Sequence, residues 1–220
     1  MSYSFVVFDL DGTLIDSLPS ITAHLNRTLQ AHGFQTLSVS RVRELVGNSS
    51  KYLVERALLE TPGRTCSPEE QWTILNEYNE AYRKEPISGT RVYPGVTELL
   101  RELTAAGHGC AVLSNKPEEI VRPIAAHFFP DIAFWQVRGY RRDTPRKPDP
   151  AGLLAMMEER GVPAAQTAYV GDSEVDALLG KAAGTDTFLV QYGFRTRQEL
   201  SGLFCRARVD RPQELLPYLM

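Results

Sequence analysis

Four apolar residues, Phe5-Val6-Val7-Phe8, run without a polar break and stop at Asp9-Leu10-Asp11-Gly12. A continuous apolar run of this length suits a strand buried on both faces, and such strands belong to parallel sheets covered by helices. Further apolar runs follow at residues 110–113, 132–137, 168–170 and 187–190. Helical patterns separate most of them. Val96, Leu99, Leu100 and Leu103 recur at helical spacing, with Gly107 where a C-terminal cap is expected. Asp149-Pro150 reads as an N-cap followed by proline at the first helical position, and Gly161 closes that helix. Ala177, Leu178 and Ala182 run to Gly184 in the same manner. Strand and helix alternating over residues 90–220 predict an α/β fold, a doubly wound, Rossmann-like parallel sheet with right-handed crossovers.

Residues 17–88 differ, because no strand pattern appears there. Ile21, Leu25 and Leu29 lie four apart and Gly33 ends that helix. Ser38 can cap a second helix that ends at Gly47, and a third covers residues 50–60. Ser67-Pro68-Glu69-Glu70 forms a capping box that opens a fourth. The expected organisation is an α/β core of residues 1–16 and 89–220, with a helical module of residues 17–88 inserted after the first strand.

Composition removes several classes. The net charge of −3 gives no basic excess, which disfavours a nucleic-acid partner. Cys66, Cys110 and Cys205 are widely spaced and form no CxxC pair, which disfavours a disulfide scaffold or a zinc site. The apolar run at residues 5–8 ends in charge and is too short for a signal peptide, and no apolar stretch is long enough for a bilayer. The reading is a cytoplasmic protein with no membrane partner.

Four polar clusters fall at the ends of expected strands, where open α/β sheets place their ligand sites. They are Asp9-Leu10-Asp11-Gly12-Thr13, Ser114-Asn115-Lys116, Lys147-Pro148-Asp149-Pro150 and Gly171-Asp172-Ser173-Glu174-Val175-Asp176. Each alone has a bland reading as a turn, a loop or a helix cap. Four in order, each after its own strand, are hard to explain as turns. Together they suit phosphoryl transfer, which needs an in-line nucleophile, neutralised equatorial oxygens and help for the leaving oxygen. A carboxylate such as Asp9 can attack phosphorus. Asp9 and Asp172 can hold Mg2+, a hard cation that takes oxygen ligands. Asp11 would protonate the leaving group and later deprotonate water, and Lys147 supplies a fixed positive charge. Ser114 and the amide of Asn115 would hold phosphoryl oxygens, and Thr13 would orient the first loop.

Asp9-x-Asp11-x-Thr13, Ser114, Lys147 and Gly171-Asp172-Ser173-x-x-Asp176 resemble the four motifs of the haloacid dehalogenase superfamily, in order and over nearly the whole chain. The helical insert resembles that superfamily's C1 cap. The segment from Val46-Gly47-Asn48-Ser49 onward, with Tyr93-Pro94-Gly95-Val96 and Ser114-Asn115-Lys116-Pro117, is similar to the phosphoglycolate phosphatase group, although Ser49 stands where that group often has glycine. The resemblance implies a magnesium-dependent phosphatase acting through an aspartyl-phosphate on a small phosphorylated metabolite, with 2-phosphoglycolate as the first candidate. It further implies the Asp11 backbone carbonyl as a metal ligand, and Asp176 with Ser173 acting behind the ligands. A monomer or a homodimer is expected. Alternatives are a pyrophosphatase, a broad-specificity sugar-phosphate phosphatase, a sugar phosphomutase of the same fold, or a degenerate regulatory module.

Asn48 and Lys51 are candidates to reach the substrate from the insert, although either can simply serve a helix end. Arg138, Arg141, Arg142 and Arg146 crowd the chain just before Lys147 and read as a solvated basic loop or an anion attractor. His24, His32, His108 and His127 show no ligand spacing. Tyr192-Gly193-Phe194-Arg195 resembles a segment of these phosphatases and carries no assigned role.

Overall fold

A computed structural model describes residues 3–220. Strand β1 (Phe5–Phe8) lies at the centre of a six-stranded parallel sheet. The other members are β4 (Gly109–Pro117), β5 (Gln136–Tyr140), β6 (Thr167–Gly171), β7 (Asp186–Val190) and β8 (Ala207–Val209), in the order β5-β4-β1-β6-β7-β8. Every residue of β1 is 0% exposed. Phe5 and Val7 enter one apolar cluster with Leu153 and Met156, while Val6 and Phe8 enter the other with Leu99 and Val121. The alternation follows from the two-residue period of a strand, and the covered faces explain the unbroken apolar run. The chain winds outward from β1 in both directions, to β4 and β5 on one side and to β6, β7 and β8 on the other. That reversal leaves a crevice at the carboxyl end of β1.

Four helices follow the first strand: α1 (Leu18–Ala31), α2 (Val39–Leu45), α3 (Ser50–Leu58) and α4 (Pro68–Lys84). Helix α1 packs on α2 and α4, and α3 on α2 and α4. Ser38, Ser49 and Ser67 each accept a hydrogen bond from a first-turn amide, at 3.2, 3.1 and 3.2 Å. The expected box at Ser67 is half made, because the Glu70 carboxylate turns to Arg64 at 2.7 Å. The crossover helices of the sheet are α5 (Val96–Ala105), α6 (Glu118–Phe128), α7 (Ala151–Arg160) and α8 (Glu174–Ala183), and two short helices, α9 (Arg197–Ser201) and α10 (Leu216–Leu219), end the chain. The α7 helix begins just after Pro150, and the Asp149 carboxylate accepts the Ala151 amide at 2.9 Å.

Three features depart from the sequence reading. The strand expected at residues 132–137 lies at Gln136–Tyr140. Ile132 is buried in a turn and Phe134 packs edge-on against Phe129, so that apolar signal came from a loop folded into the core. The strand itself is at the sheet edge and half-buried, which tolerates Gln136 and Arg138. An unanticipated antiparallel ribbon pairs β2 (Ile15–Asp16) with β3 (Arg91–Val92), at the two points where the chain enters and leaves the four-helix segment. The short β8 was also unanticipated, since Ala207-Arg208-Val209 is too brief and mixed to stand out.

Candidate active site

Asp9 leaves β1 with its amide donating to the Val170 carbonyl at 2.9 Å. Its Oδ1 accepts the Leu10 amide at 2.7 Å and the Lys147 ammonium at 2.8 Å. Asp172 follows β6, and its Oδ2 accepts the Phe194 amide at 2.7 Å. Asp176 stands in the first turn of α8. Its Oδ2 accepts the amides of Asp172 and Ser173 at 3.1 Å each and the Ser173 hydroxyl at 2.7 Å. Its Oδ1 takes the Lys147 ammonium at 2.9 Å and the Tyr169 hydroxyl at 3.2 Å. Carboxylate oxygens of Asp9, Asp172 and Asp176 lie within 4.8 Å of one another, all buried.

Burial in this crowd shifts protonation. It pushes Asp9 up to about 7, against the pull of Lys147 and with the help of Asp176. Burial, then the charges of Asp176 and Asp9, raise Asp172 well above the usual carboxylate range. Lys147 is held well above its ordinary value by Asp176 and Asp9, although burial opposes this. Three carboxylates thus face one lysine, and the cluster is short of positive charge.

The donor set fits a hard divalent cation such as magnesium. Asp176 already receives donors on both oxygens, whereas Asp9 and Asp172 each keep one oxygen with no hydrogen-bond donor among the described residues. The loops close tightly around these ligands. A Cβ at Gly12, whose φ is +81°, would lie 2.1 Å from Asp172 Oδ2, and one at Gly193 would lie 2.4 Å from Asp172 Cβ. Glycine is therefore required at both positions.

Asp11 faces the other way. Its Oδ1 accepts the Lys116 ammonium at 2.8 Å and the Ser17 hydroxyl. Lys116 in turn reaches the hydroxyl of Tyr82, on α4, at 2.9 Å. Burial opposes the charge of Lys116, yet Asp11 and Tyr82 hold it above the ordinary lysine value. Ser114 Oγ accepts the Lys116 amide at 3.2 Å. The Asn115 side chain clamps the Lys147 backbone from both sides, at 2.9 and 2.8 Å, and so fixes the lysine's approach to Asp9. Thr13 is buried, and its hydroxyl has no hydrogen-bond partner among the described residues, while its carbonyl accepts the Tyr192 hydroxyl at 3.1 Å.

Asp9, Asp11, Ser114, Asn115, Lys147 and Asp172 line one cavity of about 90 Å3, together with Asn48 and Lys116. Lys51 does not line it; its side chain is largely exposed and lies 3.7 Å from Glu55. Arg138 pairs with Glu159 and Arg141 with Asp143 beside a second cavity. The sequence reading passed over Lys116, Tyr82 and Arg195. Lys116 stood inside a recognised cluster, but its partners are remote in sequence. Tyr82 looked like one more apolar position of α4. Arg195 grips Glu174 with two bonds, at 2.8 and 2.9 Å, and donates to the Val46 carbonyl at 3.0 Å, joining α8 to the end of α2.

Carboxylates at the switch point of a doubly wound sheet, with a helical segment inserted after the first strand, define a class of hydrolase. The sequence pattern of the family described as haloacid dehalogenase-like hydrolase matches residues 6–190, and the chain belongs to that family. Within it the chain is an enzyme of the phosphatase kind. It is 36% identical over 215 residues to a phosphoglycolate phosphatase of Pseudomonas fluorescens, covering 96% of this chain and 78% of that one. It is 35% identical to a phosphoglycolate phosphatase of Psychrobacter arcticus, covering 100% and 97%. A crystal structure from Haemophilus somnus, described as a predicted phosphoglycolate phosphatase, superposes with a TM-score of 0.94 at 26% identity, covering 100% and 99%.

Proposed function

We propose that this phosphatase hydrolyses a small phosphomonoester, 2-phosphoglycolate first among candidates, through an aspartyl-phosphate on Asp9 and with magnesium held by Asp9 and Asp172. The observation that carries the reading is the buried trio Asp9, Asp172 and Asp176 set against Lys147, with Asp11 and Ser114 on the wall of the same cavity. Lys147 and the Leu10 amide both hold Asp9 through Oδ1, which fixes the carboxylate at the carboxyl end of β1 for attack on phosphorus. Ser114 and the amide of Asn115 hold phosphoryl oxygens. Asp11 gives its proton to the leaving oxygen and then takes one from the attacking water. By family resemblance the Asp11 backbone carbonyl is a further metal ligand, and Asp176 with Ser173 orients Asp172. When bound, the ion supplies charge neutralisation for the carboxylates and the phosphoryl oxygens.

Residues 17–88 serve as a cap over a core of residues 1–16 and 89–220, and exclude water when closed. A panel of phosphorylated metabolites, assayed for phosphate release with magnesium and with chelator, tests the reading. It expects metal-dependent release, with phosphoglycolate among the best by kcat/KM. Full activity in chelator, or no release from any ester, overturns it.

A further inference from the structure

The cavity is lined by two lysines in different states of satisfaction. Lys147 has three N–H groups and three acceptors, namely Asp9 at 2.8 Å, Asp176 at 2.9 Å and the Tyr169 hydroxyl at 3.0 Å. Lys116 has two, Asp11 at 2.8 Å and the Tyr82 hydroxyl at 2.9 Å, so one N–H has no acceptor among the described residues. Its side chain is only 8% exposed, and the ammonium sits 4.4 Å from the centre of the Tyr82 ring. A buried ammonium with a spare donor is poised for an anionic acceptor. The other polar side chains that the inserted segment presents to the cavity, Asn48, Ser49, Ser50, Tyr78 and Asn79, carry no charge.

We propose that Lys116 is a specificity-determining residue, and that its free N–H receives a carboxylate on the substrate, beyond the phosphoryl group. The inference rests on the phosphatase reading above and names what that reading leaves open, the group that selects the substrate. The phosphoryl group occupies the end of the cavity formed by Asp9, Ser114 and Lys147. Ser114 and Lys116 are two residues apart on β4 and line the same cavity, so a short substrate can touch both. The volume of about 90 Å3 admits roughly six to nine waters, which is room enough for a two- or three-carbon ester. A phosphorylated short hydroxy acid satisfies both ends. A neutral tail leaves the Lys116 donor unmatched, and a cationic tail is repelled.

The test compares kcat/KM for 2-phosphoglycolate with that for 2-hydroxyethyl phosphate, which has the same chain length and no carboxylate. Taking their ratio cancels any effect on the shared phosphoryl chemistry through Asp11. The wild-type enzyme should prefer phosphoglycolate. Lys116→Met should lower that preference by roughly 10- to 100-fold, the loss of one charged hydrogen bond. Lys116→Arg should retain part of the preference. Tyr82→Phe, which removes only the hydroxyl that steadies the lysine, should lower it by about 3-fold or more and carries the same test if Lys116→Met does not fold. A ratio unchanged in both Lys116→Met and Tyr82→Phe overturns the proposal, as does a wild-type enzyme that hydrolyses both esters equally well. In that last case the phosphatase reading stands. Absence of phosphate release from either ester by the wild-type enzyme overturns the proposal, and the phosphatase reading falls with it only if the whole panel of esters is inert as well.

Discussion

On the sheet side of the cavity, side chains are locked by several partners each; on the cap side, they line the same space with few. Asp176 takes donors on both oxygens, Lys147 has an acceptor for every N–H, and Asn115 clamps the Lys147 backbone. Asn48 and Asn79, by contrast, have no side-chain hydrogen bond among the described residues, and Lys116, at the end of β4 where the sheet meets Tyr82 of α4, keeps a donor free. The difference matches two tasks. Chemistry on a phosphoryl group needs preorganised charge, and every substrate of the class presents the same group. Selection among substrates needs groups that are satisfied only when the right tail arrives.

The largest expected effect falls on the sheet side. Asp9→Asn keeps the volume and should leave the fold intact while reducing turnover by roughly 10^4-fold or more, as for loss of a nucleophile. Near wild-type turnover from folded Asp9→Asn protein would sink the covalent route. Asp11 stands at the border of the two regions, bonded to Lys116 and Ser17. Asp11→Asn should slow turnover of poor leaving groups by about 10^2- to 10^4-fold. A leaving group that needs no proton should rescue the first step alone, so that phosphoenzyme accumulates in rapid-quench experiments. Unchanged rates on good and poor leaving groups would remove Asp11 from proton transfer.

A smaller effect belongs to the joint between the regions. Arg195 holds the Val46 carbonyl while Phe194, its neighbour, holds Asp172. Arg195→Ala should release the loop at residues 46–48, speed hydrogen exchange there, and reduce kcat/KM for phosphoglycolate by about 10-fold. Hydrogen exchange that stays at the wild-type rate would show that the cap loop is held by other contacts.

The smallest effect is on stability. Asp9 in the folded, metal-free protein titrates near 7, above the ordinary value of 3.8. The folded state therefore holds this proton more tightly than the unfolded chain. The stability it contributes is present at low pH and is lost as pH rises from about 4 through about 7. Metal-free Asp9→Asn protein should accordingly melt several degrees above wild type at pH 8, with the gap narrowing by pH 5 and closing only below about pH 4. Magnesium should raise the wild-type midpoint at pH 8. A gap between variant and wild type that does not change with pH would show that Asp9 is not strained by burial.

The sheet side was legible because each of its residues belongs to a short segment with a fixed place. Asp9 and Asp172 directly follow β1 and β6, Ser114 follows the apolar run of β4, and strand ends in such a sheet converge at one edge. The wall was not legible in the same way. Tyr82 meets Lys116 across 34 positions, and nothing in the periodicity of α4 separates a cavity-facing tyrosine from a core one. The strand near residue 136 was misplaced because a loop that packs Ile132 and part of Phe134 onto the core shows the same apolar letters as a strand.

The sequence by itself determined the parallel sheet, the helices inserted after its first strand and the order of the acidic and basic clusters, because hydrophobic period and turn chemistry are local. It also determined the family, since those clusters carry it. Only the tertiary structure decided which lysine pairs with which carboxylate. Lys116 and Lys147 are alike as letters, but one is enclosed by Asp9, Asp176 and Tyr169 while the other is shared between Asp11 and a tyrosine of α4. Charge pairing depends on distances between segments far apart in the chain, and those distances exist only once the helices have packed on the sheet.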